Sequence, residues 1–382
     1  MRPTSILRWS VLLVWSIIMG ACGASVAPTG APQLSVAESM TRRDTSGFRM
    51  ADAPREFVFP ADHGPHPGFA VEWWYFTGNL QSRDGREFGY QFTLFRSAIQ
   101  AERPTLDSNW ATNYAWMAHL AVSDISGQRF FADERFSREA IGIAGTQQAP
   151  WRVWLDDWQV LSDDADIGTM RLVAANAEVA LDFTLDSRQE PVLQGDAGLS
   201  QKSAGVGNAS YYYSLTRMPT TGTLRIGTEV IPINGNSWMD REWSTSALAD
   251  DQVGWDWFAL QFADGSDMMI YHLRRRDGSS DPFSGGSYRR ADGEVVTLRS
   301  ADIDFAPQGS WHSPHTGAVY PATWQITVAP LDMQFVVTPA LADQELQVTV
   351  RYWEGAVRVS GRHGDQPLAG VGYLEMTGYA DQ

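Results

Sequence analysis

The chain has 382 residues, a net charge of −16 and one cysteine. The acidic balance, with acids and bases interspersed, argues against a nucleic-acid partner, whose phosphates need a basic face, and against an anionic lipid surface. A single thiol excludes a disulfide framework. Aromatic residues reach 12%, with 16 tryptophans, and they cluster beside carboxylates, a combination that suits an apolar cavity with a few placed polar groups.

In chain order, Arg2 and Arg8 precede an apolar run from Trp9 to Met19, followed by Met19-Gly20-Ala21-Cys22. The run is too short to span a bilayer comfortably and has the order of an export signal. Residues 1–21 are expected to be a signal peptide. The small residues before Cys22 resemble a bacterial lipobox, making Cys22 the expected lipidation site and the acyl chain a membrane anchor; an ordinary secretory signal with a chance cysteine is the alternative. Gly23, rather than an acid, resembles lipoproteins sent to the outer membrane. Residues 22–55, rich in Ala, Ser, Thr and Pro, are expected to be a tether.

The remainder has room for two domains. Period-two alternation marks strands at Phe88 to Arg96, Trp116 to Val122, Met170 to Ala180 and Val348 to Trp353. Asp84-Gly85, Asp264-Gly265, Asp277-Gly278 and Asp292-Gly293 are hairpin turn signals. The expected class is all-β, built of antiparallel barrels.

Two echoes suggest duplication. Tyr75-Phe76, Asp84-Gly85 and Arg96 recur as Trp257-Phe258, Asp264-Gly265 and Arg274 or Arg276. Gly222 to Ile226 leading to Gly235 to Asp240 recurs as Gly355 to Val359 leading to Gly370 to Glu375. The boundary is expected near Ser244 to Gln252, giving barrels at 56–246 and 247–382.

The chain lacks a G-x-S-x-G elbow, an H-E-x-x-H helix, a phosphate-cradling glycine loop and CxxC. His63 with His66, and His312 with His315, lie on irregular loops and read as loop hydrogen-bonding groups, so no metal is expected. Trp238-Met239-Asp240-Arg241-Glu242-Trp243 is the leading site candidate. Extended, it puts Trp238, Asp240 and Glu242 on one face. Two neighbouring acids raise one pKa, and a protonated carboxyl beside aromatic rings suits alkene protonation. Pairing of Arg241 with Asp240 or Glu242 is the structural alternative.

The motifs Asp62-His63-Gly64-x-His66-Pro67, Glu72-Trp73-Trp74-Tyr75-x-Thr77-Gly78-Asn79-Leu80, Gly89 to Arg96, Trp238-x-Asp240-Arg241-Glu242-Trp243, Gly254-Trp255-Asp256-Trp257 and Tyr373-x-Glu375-x-Thr377-Gly378-Tyr379 together resemble the carotenoid 1,2-hydratase/AttH family. The resemblance implies two tandem lipocalin-like (calycin) antiparallel β-barrels and cofactor-free addition of water to an apolar isoprenoid or polyketide-like molecule. It also implies that Asp240, in an aromatic-x-Asp segment, is the proton donor, with Glu242 beside it. The hydratases carry tyrosine where Trp238 stands, and a His-x-Trp pair in the approximate place of Tyr211-Tyr212-Tyr213. A phenol of Tyr212 or Tyr213 is then the candidate to orient water or a carbonyl.

Trp238, Trp74, Tyr75, Trp243 and Trp257 are expected ligand contacts. Glu72 reads equally as a lumen acid or as a partner of Arg96. His119 reads as a satisfied core histidine or a catalytic one, Asp256 as a structural acid, and Glu375 as the second barrel's echo of Asp240, with only the first barrel catalytic. Two function classes follow: an exported hydratase, isomerase or hydrolase-like enzyme, or a carrier of hydrophobic ligands associated, by family analogy, with an ABC-type export system.

Overall fold

The computed structural model describes residues 44–380 apart from 103, 104, 106, 107, 109, 247 and 250; the expected signal peptide and Cys22 lie outside the described residues. The strands form two antiparallel sheets, one of 13 strands and one of 10. Both are barrel-like, one nearly closed and the other a half-barrel, as in tandem lipocalin-like folds. Strands of the first lie between Val71 and Ser244, those of the second between Gln252 and Met376.

The echo in the sequence is an echo in topology. In the first sheet Glu87–Ala98, Val71–Ser82, Glu229–Ser244 and Ala209–Ile226 are successive neighbours. In the second the same order is kept by Asp267–Arg275, Gln252–Phe262, Gln366–Met376 and Tyr352–His363.

Each sheet buries its own interior, filled in the first by Trp74, Phe76, Leu94, Trp116 and Leu120, and in the second by Phe258, Leu260, Ile270, Trp324 and Phe335. A third apolar cluster lies between them, where Tyr75, Tyr212 and Trp238 of the first sheet meet Trp257, Tyr271 and Tyr373 of the second. Successive strand residues point to opposite faces, so these strands are apolar on both. The sheets approach closely at Gly89, where a Cβ would stand 2.8 Å from that of Ala356; a side chain there would push against the facing sheet. Asn79 Nδ2 donates to the Gly372 carbonyl at 3.1 Å, and Asp267 accepts from Thr216 and Arg217 across the same boundary.

Three expectations are corrected. Met170 to Ala180 is two strands, Thr169–Ala175 and Val179–Asp186. Asn176 breaks the run, its side-chain oxygen accepting from the Glu178 and Val179 amides in an Asx-type turn. Of Val348 to Trp353, only the end is in strand, which starts at Tyr352. Nor is the chain a loose tether up to Arg55: Ala51 is buried and bridges Gly207, the Arg49 amide donates to the Gly68 carbonyl, and the Arg55 guanidinium lies over the rings of Phe57, Tyr211 and Trp243.

Candidate active site

Antiparallel register places Tyr75 beside Asp240, and Asp240 beside Ser214. On the Glu229–Ser244 strand, Trp238, Asp240 and Glu242 turn outward, toward the second sheet, whereas Met239, Arg241 and Trp243 turn into the barrel. The hollow that Asp240 lines is therefore the space between the sheets. This corrects the expectation of a site confined to the first barrel, whose interior holds a cluster of its own buried apolar side chains. About 830 Å³ of atom-free space, open mouth included, lies between the walls. Trp73, Tyr75, Tyr212, Asp240 and Glu242 line it from one side; Trp255, Trp257, Tyr271, Tyr352 and Glu375 line it from the other.

Asp240 is held by three neutral donors. Tyr212 Oη donates to Oδ2 at 2.6 Å, while Ser214 Oγ at 2.5 Å and Trp238 Nε1 at 2.7 Å donate to Oδ1. Burial drives its pKa up to about 7, against the lowering by those three hydrogen bonds, and the nearby Glu242 charge adds to the rise. The predicted shift is present, with desolvation rather than the second acid as its chief cause. Tyr212 Oη also accepts from Trp257 Nε1 of the second sheet at 3.1 Å, so both halves of the molecule fix the acid's orienting phenol.

Glu242 accepts from Ser210 Oγ and lies 3.2 Å from Lys202 Nζ. Glu375, expected as an echo outside the catalytic barrel, faces the same cavity. Burial raises its pKa to about 8, opposed by a hydrogen bond from Trp255 and reinforced by the charges of Asp240 and Glu242. Tyr75 donates to Glu354 Oε1 at 2.6 Å.

The remaining candidates lie elsewhere. Glu72, Trp74, Tyr213 and Trp243 are on the inward parity of their strands, at one end of the first barrel, and do not line the cavity. There Glu72 pairs with both Arg96 and Arg241. Burial alone would raise its pKa, but the two guanidiniums hold it well below the usual carboxylate range. Arg241 thus pairs with neither Asp240 nor Glu242 through their carboxylates. Its guanidinium lies 3.9 Å above the Trp74 ring, and His66 stacks on Trp243 at 3.6 Å. Tyr213 Oη lies 2.6 Å from His63 Nδ1, on the face opposite Asp240, which removes it from the catalytic candidates.

His119 is buried, with Nδ1 2.8 Å from Tyr352 Oη; burial pushes its pKa down to about 3, so it is a neutral histidine one layer behind the cavity wall. Asp256 is a structural acid, bonded to His272, Arg274 and Tyr379. His315 bonds Asp343. Among the described residues, no three His, Cys, Asp or Glu side chains converge as a metal site. Lys202 and Glu354 were missed by the sequence reading, and Lys202 had a visible signal: it is the sole lysine among 29 lysines and arginines.

Fold and site together define a lipocalin-like double-sheet protein with an aromatic, acid-bearing chamber at its centre. Residues 50–379 match the sequence profile of the AttH-like family, and the chain belongs to that family. The crystal structure of an AttH-type protein from Nitrosomonas europaea is similar, with a TM-score of 0.76 and 34% identity, covering 86% of this chain and 99% of that one. Kievitone hydratase from Nectria haematococca shares the fold, with a TM-score of 0.67 and 18% identity over 90% of this chain and 99% of that one. In sequence, the chain is 22% identical over 218 residues to kievitone hydratase of Fusarium solani subsp. phaseoli, covering 55% of this chain and 60% of that protein's length.

Proposed function

We propose that the chain is a cofactor-free, hydratase-like enzyme acting on an apolar isoprenoid or polyketide-like molecule held between the two sheets. The observation that carries this reading is the Asp240 carboxyl, buried among aromatic rings and pushed up to about 7, so that it holds a transferable proton near neutrality. In the proposed step that proton passes to one carbon of a double bond. The cation formed on the other carbon is flanked by the rings of Tyr75, Tyr212 and Trp257, which line the chamber, and adds water; Trp238, an expected ligand contact, lies behind the wall and only donates to Asp240. The water's second proton returns to the Asp240 carboxylate, which regenerates the acid. Tyr212, bonded to both Asp240 and Trp257, holds the acid in place. Glu375, on the opposite wall, presents a second neutral carboxyl to orient the incoming water.

Incubation with kievitone and a panel of prenylated aromatics and polyenes in ¹⁸O-labelled water, read by mass spectrometry, tests the reading. Label uptake by the wild type that disappears in Asp240→Asn, with the unfolding midpoint unchanged, is the expected result. Uptake that survives in Asp240→Asn removes the role given to that residue. No uptake from any compound favours the carrier reading, in which the acids only orient a bound molecule.

The cellular setting is part of the proposal: export, acylation of Cys22, attachment to the bacterial envelope, and association with an export system. Incorporation of labelled palmitate, lost in Cys22→Ser, is the corresponding check.

A further inference from the structure

The chain answers almost every demand for positive charge with arginine. Of its 29 lysines and arginines, one alone is a lysine, and its ammonium lines the chamber. The buried structural pairs, Glu72 with Arg96 and Arg241, Asp267 with Arg217, and Asp256 with Arg274, all use a guanidinium. Lysine differs in offering a compact point charge on a long stem with three rotatable donors.

Lys202 is placed from both halves of the molecule. Its amide donates to the Asn208 carbonyl at 2.9 Å, and its carbonyl accepts from Gln252 Nε2, at the start of the second sheet, at 2.7 Å. The side chain is 15% exposed, and Nζ lies 5.1 Å from the Tyr212 ring centroid and 4.7 Å from that of Tyr271. Glu242 Oε1 at 3.2 Å takes one of the three N–H bonds. Ring faces attract the charge but accept no conventional hydrogen bond, so two donors remain for an occupant of the chamber. Among the described lining residues it is also the only cation. The acids do not make the chamber repel an anion below neutral pH: Glu242 is offset by Lys202 itself, and burial keeps Asp240 and Glu375 protonated.

We propose that Lys202 binds an anionic oxygen of the ligand, so that the molecule this chamber accepts is an apolar body carrying one carboxylate or acidic enol, oriented with that group at Lys202 and its reactive carbon at Asp240. The inference rests on the chamber being the ligand site and deepens that reading by naming the substrate class. A chamber for plain hydrocarbons has no use for an ammonium with spare donors, whereas an oxygenated amphiphile is held in one orientation by it.

Fluorescence titration of the full-length protein at pH 6 with two matched pairs tests this: cis-parinaric acid against its methyl ester, and warfarin, an acidic enol, against its O-methyl ether. The expected result is that the acidic member of at least one pair binds about tenfold or more tightly than its neutral partner; which pair shows it separates the carboxylate from the enol. In Lys202→Met the preference falls to parity while affinity for the neutral partner is kept. Because that variant removes a buried ion pair, a second readout uses the wild-type fold: reductive methylation with ¹³C-formaldehyde marks the single side-chain amine and keeps its charge, and its methyl resonance shifts with the acid and not with the ester. Equal affinities within both pairs, a preference that persists in Lys202→Met, a methyl resonance indifferent to both probes, or no saturable binding of any probe overturns the inference. The outcome is separable from that of the hydration test, because Asp240→Asn retains the acid preference whether or not Asp240 is a proton donor.

Discussion

Glu72 and Asp240 are both carboxyls sealed into the first sheet, one on each face of it, and their partners differ in kind. Glu72 meets two guanidiniums and is kept ionised; Asp240 meets a phenol, a hydroxyl and an indole, and burial leaves it protonated near neutrality. Burial alone therefore does not make an acid functional. Charged partners convert a buried carboxylate into a structural tie, whereas neutral donors fix its position and leave its proton available.

The largest expected effect separates the two in function. Asp240→Asn lowers turnover by about 10²–10⁴-fold in a steady-state assay without loss of thermal stability, the range usual for a general acid. Glu72→Gln does the reverse in urea denaturation: it strands Arg96 and Arg241 and costs about 3–5 kcal/mol. Equal losses of stability in the two variants would erase the distinction.

The pH slopes should also oppose one another. Asp240, its pKa raised in the fold, contributes stability that is complete below its ordinary value of 3.8 and is lost as pH climbs through about 7. Glu72, its pKa depressed, contributes stability that is complete above its ordinary value of 4.5 and is lost as pH falls below it. Each slope is at most about 1.4 kcal/mol per pH unit. Denaturation followed from pH 3 to 8 reads both: Asp240→Asn should flatten the neutral slope and leave the acid one. Turnover should likewise fall above about pH 7 as the Asp240 proton is lost.

The smallest effect comes from Tyr212→Phe. Its hydroxyl lowers the Asp240 pKa, so removing it should move the alkaline limb of the pH–rate profile upward by less than about one unit. A downward shift would mean that the phenol favours the neutral acid.

Much of this was legible in the residues. Alternation along Trp238 to Trp243 grouped the indole with both acids correctly, and the hairpin echoes anticipated the shared strand order. Which face was interior was not legible. Val71–Ser82 is apolar on both sides, with Trp74 and Phe76 inward and Trp73 and Tyr75 outward, and a two-sided pattern carries no sign. Glu72, Trp74, Tyr213 and Trp243 were therefore grouped with Asp240 although their strand parity faces them the other way. Met170 to Ala180 misled for a different reason: its composition continues across a turn that one asparagine side chain makes.

The location of the chamber at the seam has a consequence for how such a protein can change. Repeating a barrel yields two packed interiors but a single seam, and outward positions of both copies face it. Substitutions in either copy's outward register can thus retune one shared pocket while both cores, which carry the stability, stay untouched.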